Sequence, residues 1–496
     1  MAAPSALAAP ISKSERDSFR PKDLEEALGT VRRYFDAYAP LREKFREKAS
    51  GYHRLIRRYY RYYVPKSSRV LEVGCGTGDL LSDLRPSEGV GIDLSPEMVK
   101  VARVRHPAPH LRFLEGAVER LVLDEKPFDY IVLSDLLPFL FDIQAAFRAL
   151  KPFCHARTRI IVNVHSRLWQ PALDLLERTG LKYRQPVLNW VTTEDVVNLF
   201  ELAGYQTIST DSRILLPARV PLVGKLLNRV LAPFKPFKWF CLTNWVVARL
   251  PQELPKDLGV TVVCPCRNEE GNVRPVVERL PDFGVPSELI FVEGHSKDGT
   301  LAACHKIADE YRSKRDISVY QQTGKGKGDA VRLGYAKAKY DILMILDADM
   351  TVQPEALPSF VDVIRAGRVE FVNGSRFVYP MEGRAMRFLN MIGNKFFSMA
   401  ISFLIGQNVK DTLCGTKVLI KRDYEKLVAQ REYLGDFDPF GDFDLLFGAS
   451  RLNLRIADLP IRYRDRTYGT TNISRFRHGL ILLRMCGVAL RKLKMR

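Results

Sequence analysis

The strongest constraint on the fold is an alternation of short apolar segments with helix-like stretches, which occurs in two separate series. The first series begins at Ser68 and contains the segments RVLEVGCG, GVGIDLS, FDYIVLSDL and RIIVNVHS. The second series begins at residues 260–266 with VTVVCPC and continues through ELIFVEG, YDILMILDAD and VEFVNGS. Strands separated by helices form parallel sheets with helices on both faces. We therefore predict an α/β fold with two doubly wound domains.

The domain organisation follows from the length of the chain and from one proline-containing segment. A chain of 496 residues is too long for a single hydrophobic core. The segment ARLPQELPKDLG, at residues 248–259, contains two prolines and charges of both signs, and it separates the two series. The predicted parts are a mobile tail at 1–20, a first domain at 21–250, a linker at 251–257, a second domain at 258–475 and a basic amphipathic helix at 476–496.

The overall charge and the cysteines limit the possible partners. A formal net charge of +19 favours an anionic partner, which could be a phosphorylated substrate, an anionic lipid or a nucleic acid. The sequence contains no zinc finger, no recognition-helix motif and no aromatic–basic platform for single strands, so we expect no nucleic-acid partner. The eight cysteines are scattered, which favours reduced thiols and a cytoplasmic chain. No apolar run reaches the roughly 18 residues of a membrane-spanning helix.

A glycine turn follows the first apolar segment. In VLEVGCGTGDLL, the glycines Gly74, Gly76 and Gly78 come directly after a predicted strand, and glycine allows a backbone to approach a ligand closely. A dinucleotide-binding turn needs a further glycine where Asp79 stands, which argues against a dehydrogenase. Asp93 ends the next predicted strand, where a carboxylate can accept hydrogen bonds from ribose hydroxyls.

From about residue 30 to residue 250, this pattern resembles the class I S-adenosylmethionine-dependent methyltransferases. The resemblance implies a Rossmann-like methyltransferase domain, in which the three glycines border the methionine part of S-adenosylmethionine and Asp93 holds its ribose. Glu72 precedes the turn and either faces the cofactor or ends the strand. Family members commonly carry an Asp where Ala117 stands. Either Glu119 or backbone groups recognise the adenine instead, or cofactor binding is weakened.

Methyl transfer also needs a base for the proton of the methyl acceptor. His155 and His165 could supply that base, although an isolated histidine is more often a surface or core residue. A non-catalytic domain of the same fold is the alternative reading of the first half.

Two carboxylates follow the apolar segment of residues 342–346. Asp347 and Asp349 are separated by one residue, and side chains at i and i+2 of a strand point to the same face. We expect them at the carboxyl end of a strand, where open α/β sheets bind ligands. Two such carboxylates repel each other unless a cation lies close. Hard divalent cations such as Mg²⁺ combine few carboxylates with phosphate oxygens, so the pair predicts a Mg²⁺ or Mn²⁺ site for a diphosphate.

Over about residues 258–480, the order of motifs resembles the family 2 glycosyltransferases. The resemblance implies a GT-A domain that uses a nucleotide-sugar, with Asp347 and Asp349 as metal ligands. Glu293 and Gly294 stand where the family has two aspartates of a second nucleotide-binding turn. Three residues match the first nucleotide-binding turn of the family: Pro265, Asn268 and Glu269.

Further motifs resemble the dolichyl-phosphate mannose synthases and related polyprenyl-phosphate glycosyltransferases. These motifs are Gly374-Ser375-Arg376, Asp411 to Gly415, and Arg466-Thr467-Tyr468-Gly469. The resemblance implies a polyprenyl-phosphate acceptor, whose phosphate is already ionised and needs cations for positioning more than a strong base. The candidate cations for that role are Arg376, Arg384 and Arg466. Asp442 and Asp444 could be the base for a hydroxyl acceptor instead, or they could order the site.

Two stretches combine basic and apolar residues. From Arg213 to Arg249 there are seven Lys or Arg and no acidic residue, and Arg477, Arg484 and Arg491 are seven residues apart near the end of the sequence. Such stretches favour contact with an anionic membrane surface. We therefore expect a protein that is peripheral on the inner face of the membrane. The alternatives are a strand inserted in the first sheet and a helix packed on its own domain.

These features predict a bifunctional enzyme. Its second domain would transfer a sugar from a UDP- or GDP-sugar to polyprenyl phosphate with a divalent metal, and its first domain would be a methyltransferase. The alternative is a glycosyltransferase that acts on the hydroxyl of a glycan or natural product, with a first domain that methylates the product or only binds.

Overall fold

The computed structural model describes residues 21–183, 185, 189–218, 220, 222–379, 388–430, 441–464, 466, 468 and 475–495, without the side chains of 388–392 and 475–478. The predicted tail at 1–20 and the predicted cation Arg384 lie outside the described residues. The described chain divides between Pro251 and Gln252 into two compact units.

The first unit is built around a seven-stranded sheet. Its strands in chain order are β1 (Arg69–Val73), β2 (Glu88–Asp93), β3 (Leu111–Glu115), β4 (Phe128–Ser134), β5 (Cys154–His165), β6 (Gln206–Arg213) and β7 (Thr243–Arg249). The strand order across the sheet is β3-β2-β1-β4-β5-β7-β6. The first five strands in that order are parallel, and β7 is antiparallel to β5 and to β6. The order reverses between β1 and β4, and open α/β sheets bind ligands at the carboxyl ends of such strands.

Helices precede this sheet and connect its strands. The helices are Leu24–Tyr38, Arg42–Lys48, Ser50–Tyr63, Asp79–Leu84, Pro96–Arg105, Ile143–Ala149, Gln170–Arg178, Thr193–Leu202 and Val223–Lys225, the last continued by a π-helix at Leu226–Leu231. Helix Ser50–Tyr63 is rich in tyrosine because one of its faces packs on the sheet. The rings of Tyr60 and Tyr63 lie 4.8 Å and 5.7 Å from the ring of the buried Trp245 in β7.

The second unit is built around another seven-stranded sheet. Its strands are β8 (Val260–Cys266), β9 (Ser287–Glu293), β10 (Asp316–Gln321), β11 (Ile342–Ile345), β12 (Phe371–Ser375), β13 (Lys417–Ile420) and β14 (Ile456–Pro460). The strand order is β10-β9-β8-β11-β13-β12-β14. Only β13 is antiparallel to its neighbours, β11 and β12, among the strands of this described sheet. The predicted α/β fold with two doubly wound domains is confirmed.

Helices cover both faces of the second sheet. They are Glu270–Arg279, Thr300–Glu310, Lys327–Lys337, Leu357–Arg365, Phe388–Ile405, Lys421–Ala429, Asp442–Arg451 and Arg475–Ala489, the last continued by a π-helix at Leu490–Lys494. Two buried apolar clusters lie in this unit. One is built partly from Val263, Leu343 and Phe447, and the other partly from Val262, Met344 and Phe360.

Both basic stretches contribute to the packing of their own unit. The first ends in β7, within the first sheet. In the second, helix Arg475–Ala489 buries Leu482 and Met485, while Leu480 is 70% exposed. No helix in the described part of the chain is long and apolar enough to cross a membrane. All eight cysteines are free thiols.

Candidate active sites

The glycine turn of the first unit joins β1 to helix Asp79–Leu84. Gly74, Gly76 and Gly78 have φ angles of +74°, +52° and +74°, which residues with a Cβ rarely adopt. The Gly74 N–H donates to the carbonyl of Ile92 at 2.7 Å. The turn therefore presents bare backbone at the carboxyl end of β1, as the sequence pattern predicts.

Asp93 ties the glycine turn to the loop after β2. Its Oδ2 accepts a hydrogen bond from the Gly76 N–H at 2.7 Å, and its Oδ1 accepts one from the Ser95 N–H at 3.0 Å. Burial raises the pKa of this carboxyl above its ordinary value, against the effect of the two backbone donors. Each carboxylate oxygen has a second lone pair, so Asp93 can hold the turn and still accept from a ribose hydroxyl.

The two predicted glutamates have different surroundings. Glu72 is buried within β1, where its Oε2 accepts a hydrogen bond from the Leu81 N–H at 2.9 Å. Burial raises the pKa of Glu72 to about 8. Glu119 is less buried and accepts a hydrogen bond from the Phe141 N–H at 3.2 Å, and burial raises its pKa as well. Glu72 thus accepts from the first turn of helix Asp79–Leu84, and its role toward the cofactor stays a prediction.

The two candidate histidines lie at opposite ends of β5. His155 is near its amino end, with Nε2 3.5 Å from Asp129 Oδ1. His165 is the last residue of β5, with Nε2 3.9 Å from Asp135 Oδ1. Because β5 runs parallel to β4 and β4 to β1, the glycine turn and His165 share one edge of the sheet. Of the two histidines, His165 is the one on the side of the ligand-binding crevice.

Arg42 completes the glycine turn and was missed by the sequence reasoning. A methyl group on Gly76 would overlap the guanidinium of Arg42, which reaches the turn from helix Arg42–Lys48. No motif marks this arginine among the many basic residues of the N-terminal helices, because the contact spans more than thirty residues of sequence.

In the second unit, the turn after β8 is held against the loop after β9. The Asn268 N–H donates to Ser296 Oγ at 2.9 Å, and Asn268 Oδ1 accepts from the Lys297 N–H at 2.8 Å. The Glu269 N–H donates to Thr300 Oγ1 at 3.0 Å. Pro265 lies in β8, just before this turn. The residues predicted to bind the nucleotide thus lie together at the carboxyl ends of two parallel strands.

Glu293 ends β9 and is buried. Its Oε1 accepts from the Ser296 N–H at 2.5 Å, and its Oε2 accepts from Gln321 Nε2 at 2.9 Å. Burial alone would raise its pKa, but these hydrogen bonds outweigh burial and the pKa lies below its ordinary value. Glu293 is therefore an ionised group that orders the loop after β9.

The carboxylate pair lies in a turn, not in a strand. β11 ends at Ile345, and the Met350 N–H donates to the Asp347 carbonyl at 3.1 Å. The alternation rule used for Asp347 and Asp349 therefore does not apply, because the chain turns away from the sheet before it reaches them. Met350, at φ +49°, completes the turn.

Each carboxylate of the pair has a cationic partner from the chain itself. Lys327 Nζ lies 2.7 Å from Asp347 Oδ1, and Arg466 Nη2 donates to Asp349 Oδ2 at 2.6 Å. Arg466 also donates to Glu269 Oε1 at 3.3 Å, so it links the pair to the turn after β8. These contacts bring the predicted residues Asp349, Arg466 and Glu269 into one site.

Lys327 and Gly415 also belong to this site. Gly415 ends the motif that begins at Asp411, whereas Lys327 was not predicted as a functional residue. Burial alone would lower the pKa of Lys327, but the charges of Asp347 and Asp442 outweigh it, and the pKa lies above its ordinary value. A methyl group on Gly415 would overlap both the Asp347 carboxylate and the Lys327 ammonium. The GKGKG segment was a visible signal for Lys327, although it does not say which of its two lysines turns inward.

The remaining predicted residues lie deeper. Asp442 and Asp444 begin helix Asp442–Arg451 and are both buried, and Asp442 Oδ2 lies 3.8 Å from Lys327 Nζ. Arg376 donates to both oxygens of the buried Asp411, at 2.6 Å and 2.8 Å. The phosphate-binding role of Arg376 stays a prediction, and so does a catalytic role for either aspartate.

The oxygen ligands of the pair suit a hard divalent cation. The side chains of Asp347 and Asp349 are 28% and 17% exposed, so an ion can reach them. No cluster of three or more potential ligand side chains from His, Cys, Asp and Glu occurs in the described part of the chain. Mg²⁺ commonly uses one or two carboxylates together with substrate phosphates, and two carboxylates fit that use.

Comparisons with known proteins agree with both units. The model of a methyltransferase domain matches residues 70–154, and the model of glycosyl transferase family 2 matches residues 261–428. An S-adenosylmethionine-dependent methyltransferase from Thermotoga maritima is similar in structure, with 16% identity and a TM-score of 0.35, over 44% of this chain and 99% of that one.

Two of the curated relatives each match less than half of this chain. A dolichyl-phosphate hexose transferase of Haloferax volcanii is 30% identical over 44% of this chain and 89% of its own length. A polyprenol monophosphomannose synthase of Mycolicibacterium smegmatis is 26% identical over 43% of this chain and 80% of its own length. The chain therefore belongs to glycosyl transferase family 2 through its second unit and carries a methyltransferase domain in its first.

Proposed function

We propose that the second unit transfers a hexose from a nucleotide-sugar to a polyprenyl phosphate. The names of the two relatives support this substrate class. The observation that carries the proposal is the pairing of Lys327 with Asp347 and of Arg466 with Asp349. The two carboxylates can bind the metal of a metal–diphosphate complex, and the two cations can then bind phosphate oxygens. A site of this kind can therefore hold the diphosphate and a phosphate acceptor together.

The chain's own residues would position both phosphates. Lys327 and Arg466 can each exchange a carboxylate oxygen for a phosphate oxygen, and each then still has an anionic partner. The planar guanidinium of Arg466 suits two oxygens of one phosphate, while the ammonium of Lys327 acts as a point charge. An acceptor phosphate is already ionised at neutral pH, so no protein group has to remove its proton. Asp442 then serves to hold Lys327 in place.

Asp347 and Asp349 are the residues that would hold a divalent metal. Such an ion, when bound, shields the negative charge that develops on the leaving diphosphate. The turn after β8, with Pro265, Asn268 and Glu269, would hold the nucleoside. Glu293 would act there by ordering the loop that packs against this turn.

The first unit is proposed to bind S-adenosylmethionine and transfer its methyl group. The positive φ angles of the three turn glycines and the carboxylate of Asp93 support the binding site. Bound S-adenosylmethionine supplies an electrophilic methyl group. Arg42, beside the turn, would add a positive charge for the cofactor's carboxylate.

A membrane surface is proposed as the place of action. In the first unit, Leu222, Trp239 and Phe240 are 82%, 65% and 54% exposed, and Lys225, Lys235 and Lys238 lie in the same segment. Exposed large apolar side chains among basic residues suit the interface of an anionic bilayer.

We also propose domain limits of 21–250 and 258–475, with a linker at 251–257. The division of the described chain after Pro251 supports these limits.

The test is an assay of the purified chain with UDP- and GDP-hexoses, labelled in the hexose, and a short polyprenyl phosphate. We expect a labelled lipid with either the UDP-hexoses or the GDP-hexoses. The transfer should stop when EDTA is added and return when Mg²⁺ or Mn²⁺ is supplied. The matching polyprenol and simple sugars serve as controls for the acceptor. Transfer to the polyprenol or to a sugar, but not to the phosphate, would instead establish a hydroxyl acceptor.

A further inference from the structure

A polar cluster at the edge of the first sheet contains His165, one of the two histidines considered above as a base for methyl transfer. Asp135 directly follows β4, and His165 ends the neighbouring β5. Tyr52 Oη donates to Asp135 Oδ2 at 2.7 Å, and Asn163 Nδ2 donates to Asp135 Oδ1 at 2.5 Å. His165 Nε2 lies 3.9 Å from Asp135 Oδ1. A carboxylate is thus fixed by two donors beside an imidazole.

The surroundings hold this cluster in one arrangement. Asn163 is fully buried, and its Oδ1 accepts from Tyr60 Oη at 2.6 Å, which orients the amide toward Asp135. Asp135 itself has a φ of +53°, a backbone conformation that costs free energy in a residue with a Cβ. Backbone strain of this kind persists where the packing around it enforces it, and it often occurs at active sites.

The cluster lies next to the glycine turn. β1 and β4 are neighbours, with Val73 opposite Leu133. A methyl group on Gly74 would lie 2.7 Å from a methyl carbon of Leu136, the residue after Asp135. The Asp135–His165 pair therefore adjoins the turn that we propose holds the methionine part of S-adenosylmethionine, which carries the reactive methyl group.

His165 can accept a proton from a bound molecule. Its side chain is 25% exposed, and that of Asp135 is 26% exposed. Burial lowers the pKa of His165, Asp135 opposes that effect and Lys182 adds to it, so the net pKa lies below its ordinary value. The ring of Tyr52 lies against the imidazole, 5.5 Å between centroids. The imidazole is thus uncharged at neutral pH and has its base form available.

The charges of the cluster select the class of acceptor. A carboxylate acceptor needs no base, and Asp135 would repel it. An amine would arrive as an ammonium ion, which Asp135 would stabilise in the protonated form that cannot attack. A neutral hydroxyl is subject to neither of these unfavourable effects, and it needs a base to lose its proton. Hydroxyl groups of this kind are abundant on the glycosides that a glycosyltransferase makes.

We propose that the first unit methylates a hydroxyl group of a glycoside, with His165 as the base and Asp135 as the residue that positions it. This inference rests on the proposed binding of S-adenosylmethionine by the first unit. The hydroxyl oxygen bonds to the methyl carbon as the carbon–sulfur bond breaks, and the electron pair of that bond stays on sulfur. The hydroxyl proton passes to Nδ1 of His165, the ring nitrogen that does not face Asp135, so no further reactant is needed.

The test uses the full chain, S-adenosylmethionine labelled in its methyl group, and octyl β-glucoside and octyl α-mannoside as acceptors. We expect methylation of at least one glycoside. His165→Ala should lower kcat at pH 7 by about 100-fold or more, the usual contribution of a general base, and the loss should shrink as the pH rises. The KM for S-adenosylmethionine should stay within about twofold of the wild-type value, since His165 only serves the acceptor. The exposed His110 provides the matched control, His110→Ala.

A second readout does not depend on turnover. In the protein without cofactor, nuclear magnetic resonance of labelled histidines follows the titration of the His165 imidazole. Asp135→Asn should move that titration to lower pH, because it removes the neighbouring negative charge. A titration of His165 that stays in place would show that Asp135 does not act on the imidazole, and it would overturn the positioning role.

The outcomes separate this inference from the function on which it rests. If calorimetry shows cofactor binding but neither glycoside is methylated, or His165→Ala keeps full activity, the hydroxyl-acceptor inference is wrong and the cofactor site stands. If the native chain binds no S-adenosylmethionine, the proposed methyltransferase function fails, and this inference fails with it.

Discussion

Lys327 Nζ lies 2.7 Å from Asp347 Oδ1 and 3.8 Å from Asp442 Oδ2, so one ammonium group forms ion pairs with two carboxylates at the carboxyl end of the second sheet. In the proposed function, this internal cation competes with a divalent metal for Asp347. It then becomes available to a diphosphate when the metal is bound. Two opposite effects on ligand binding follow for a variant without this charge.

We predict that Lys327→Met tightens Mn²⁺ binding in the absence of nucleotide and weakens the binding of UDP or GDP in its presence. The nucleotide should lose about tenfold or more in affinity, since a hydrogen bond to a charged group contributes about 1.5–3 kcal/mol. Titration calorimetry with MnCl₂, UDP and GDP measures both effects. Lys325→Met, at an exposed lysine of the same segment, is the matched control. Equal affinities in both variants would show that Lys327 has only a structural role.

Asp349→Asn should remove nearly all sugar transfer. Its Oδ2 accepts from Arg466 and its Oδ1 from Thr351, and an amide can preserve only part of this arrangement while contributing no charge to a metal. The rate of labelled hexose transfer at saturating Mg²⁺ is the measurement. Asp362→Asn, at an exposed position on helix Leu357–Arg365, should keep wild-type activity. Full activity of Asp349→Asn would mean that the pair does not bind the metal.

Arg466→Ala should reduce transfer to polyprenyl phosphate far more than it reduces donor affinity. The guanidinium can exchange Asp349 and Glu269 for the oxygens of an anionic ligand, and in the proposed function that ligand is the acceptor phosphate. The KM for a short polyprenyl phosphate and the Kd for the nucleotide are compared in the same buffer. The exposed Arg464 supplies the control, Arg464→Ala. A larger loss in nucleotide affinity than in acceptor KM would place Arg466 on the donor.

Asp93→Asn should weaken S-adenosylmethionine binding and leave sugar transfer nearly unchanged. The loss of a charge-assisted contact to the ribose corresponds to about 1.5–3 kcal/mol, or roughly 10- to 150-fold in Kd. The amide can still accept from the Gly76 N–H through its oxygen, which preserves part of the turn. Calorimetry gives the Kd, and Asp124→Asn at an exposed aspartate is the control. The prediction is contradicted if Asp93→Asn binds the cofactor as tightly as the wild type.

The first unit should lose stability as the pH rises from about 4.5 toward 8 because of Glu72. Its carboxyl is buried, and its pKa is raised from 4.5 to about 8 in the folded state. The folded state therefore binds a proton that the unfolded state releases, and the stabilisation present below the unfolded pKa is lost across this window. Glu72→Gln can keep the hydrogen bond from Leu81, so its melting temperature relative to wild type should climb between pH 5 and pH 8 and then level off. Glu97→Gln, at an exposed glutamate, should follow the wild type at every pH.

The architecture can be predicted from the amino-acid sequence alone. The spacing of apolar residues differs between strands and helices, so the alternation of the two is visible in the sequence. The two doubly wound units could therefore be predicted without any knowledge of long-range contacts. Short motifs also located the glycine turn, Asp93 and the Asp347–Asp349 pair, because each lies in one continuous segment at the end of a strand.

Which charged groups lie next to each other depends on the folded chain. The partners of Asp347 and Asp349 are Lys327 and Arg466, and the partners of Asp135 are Tyr52, Asn163 and His165. These residues are distant in sequence and come together because parallel strands bring their carboxyl ends to one edge of a sheet. In a chain with 76 lysines and arginines, residue type alone could not distinguish Lys327 from the exposed Lys325. The difference between them is burial and proximity to a carboxylate, which exist only after folding.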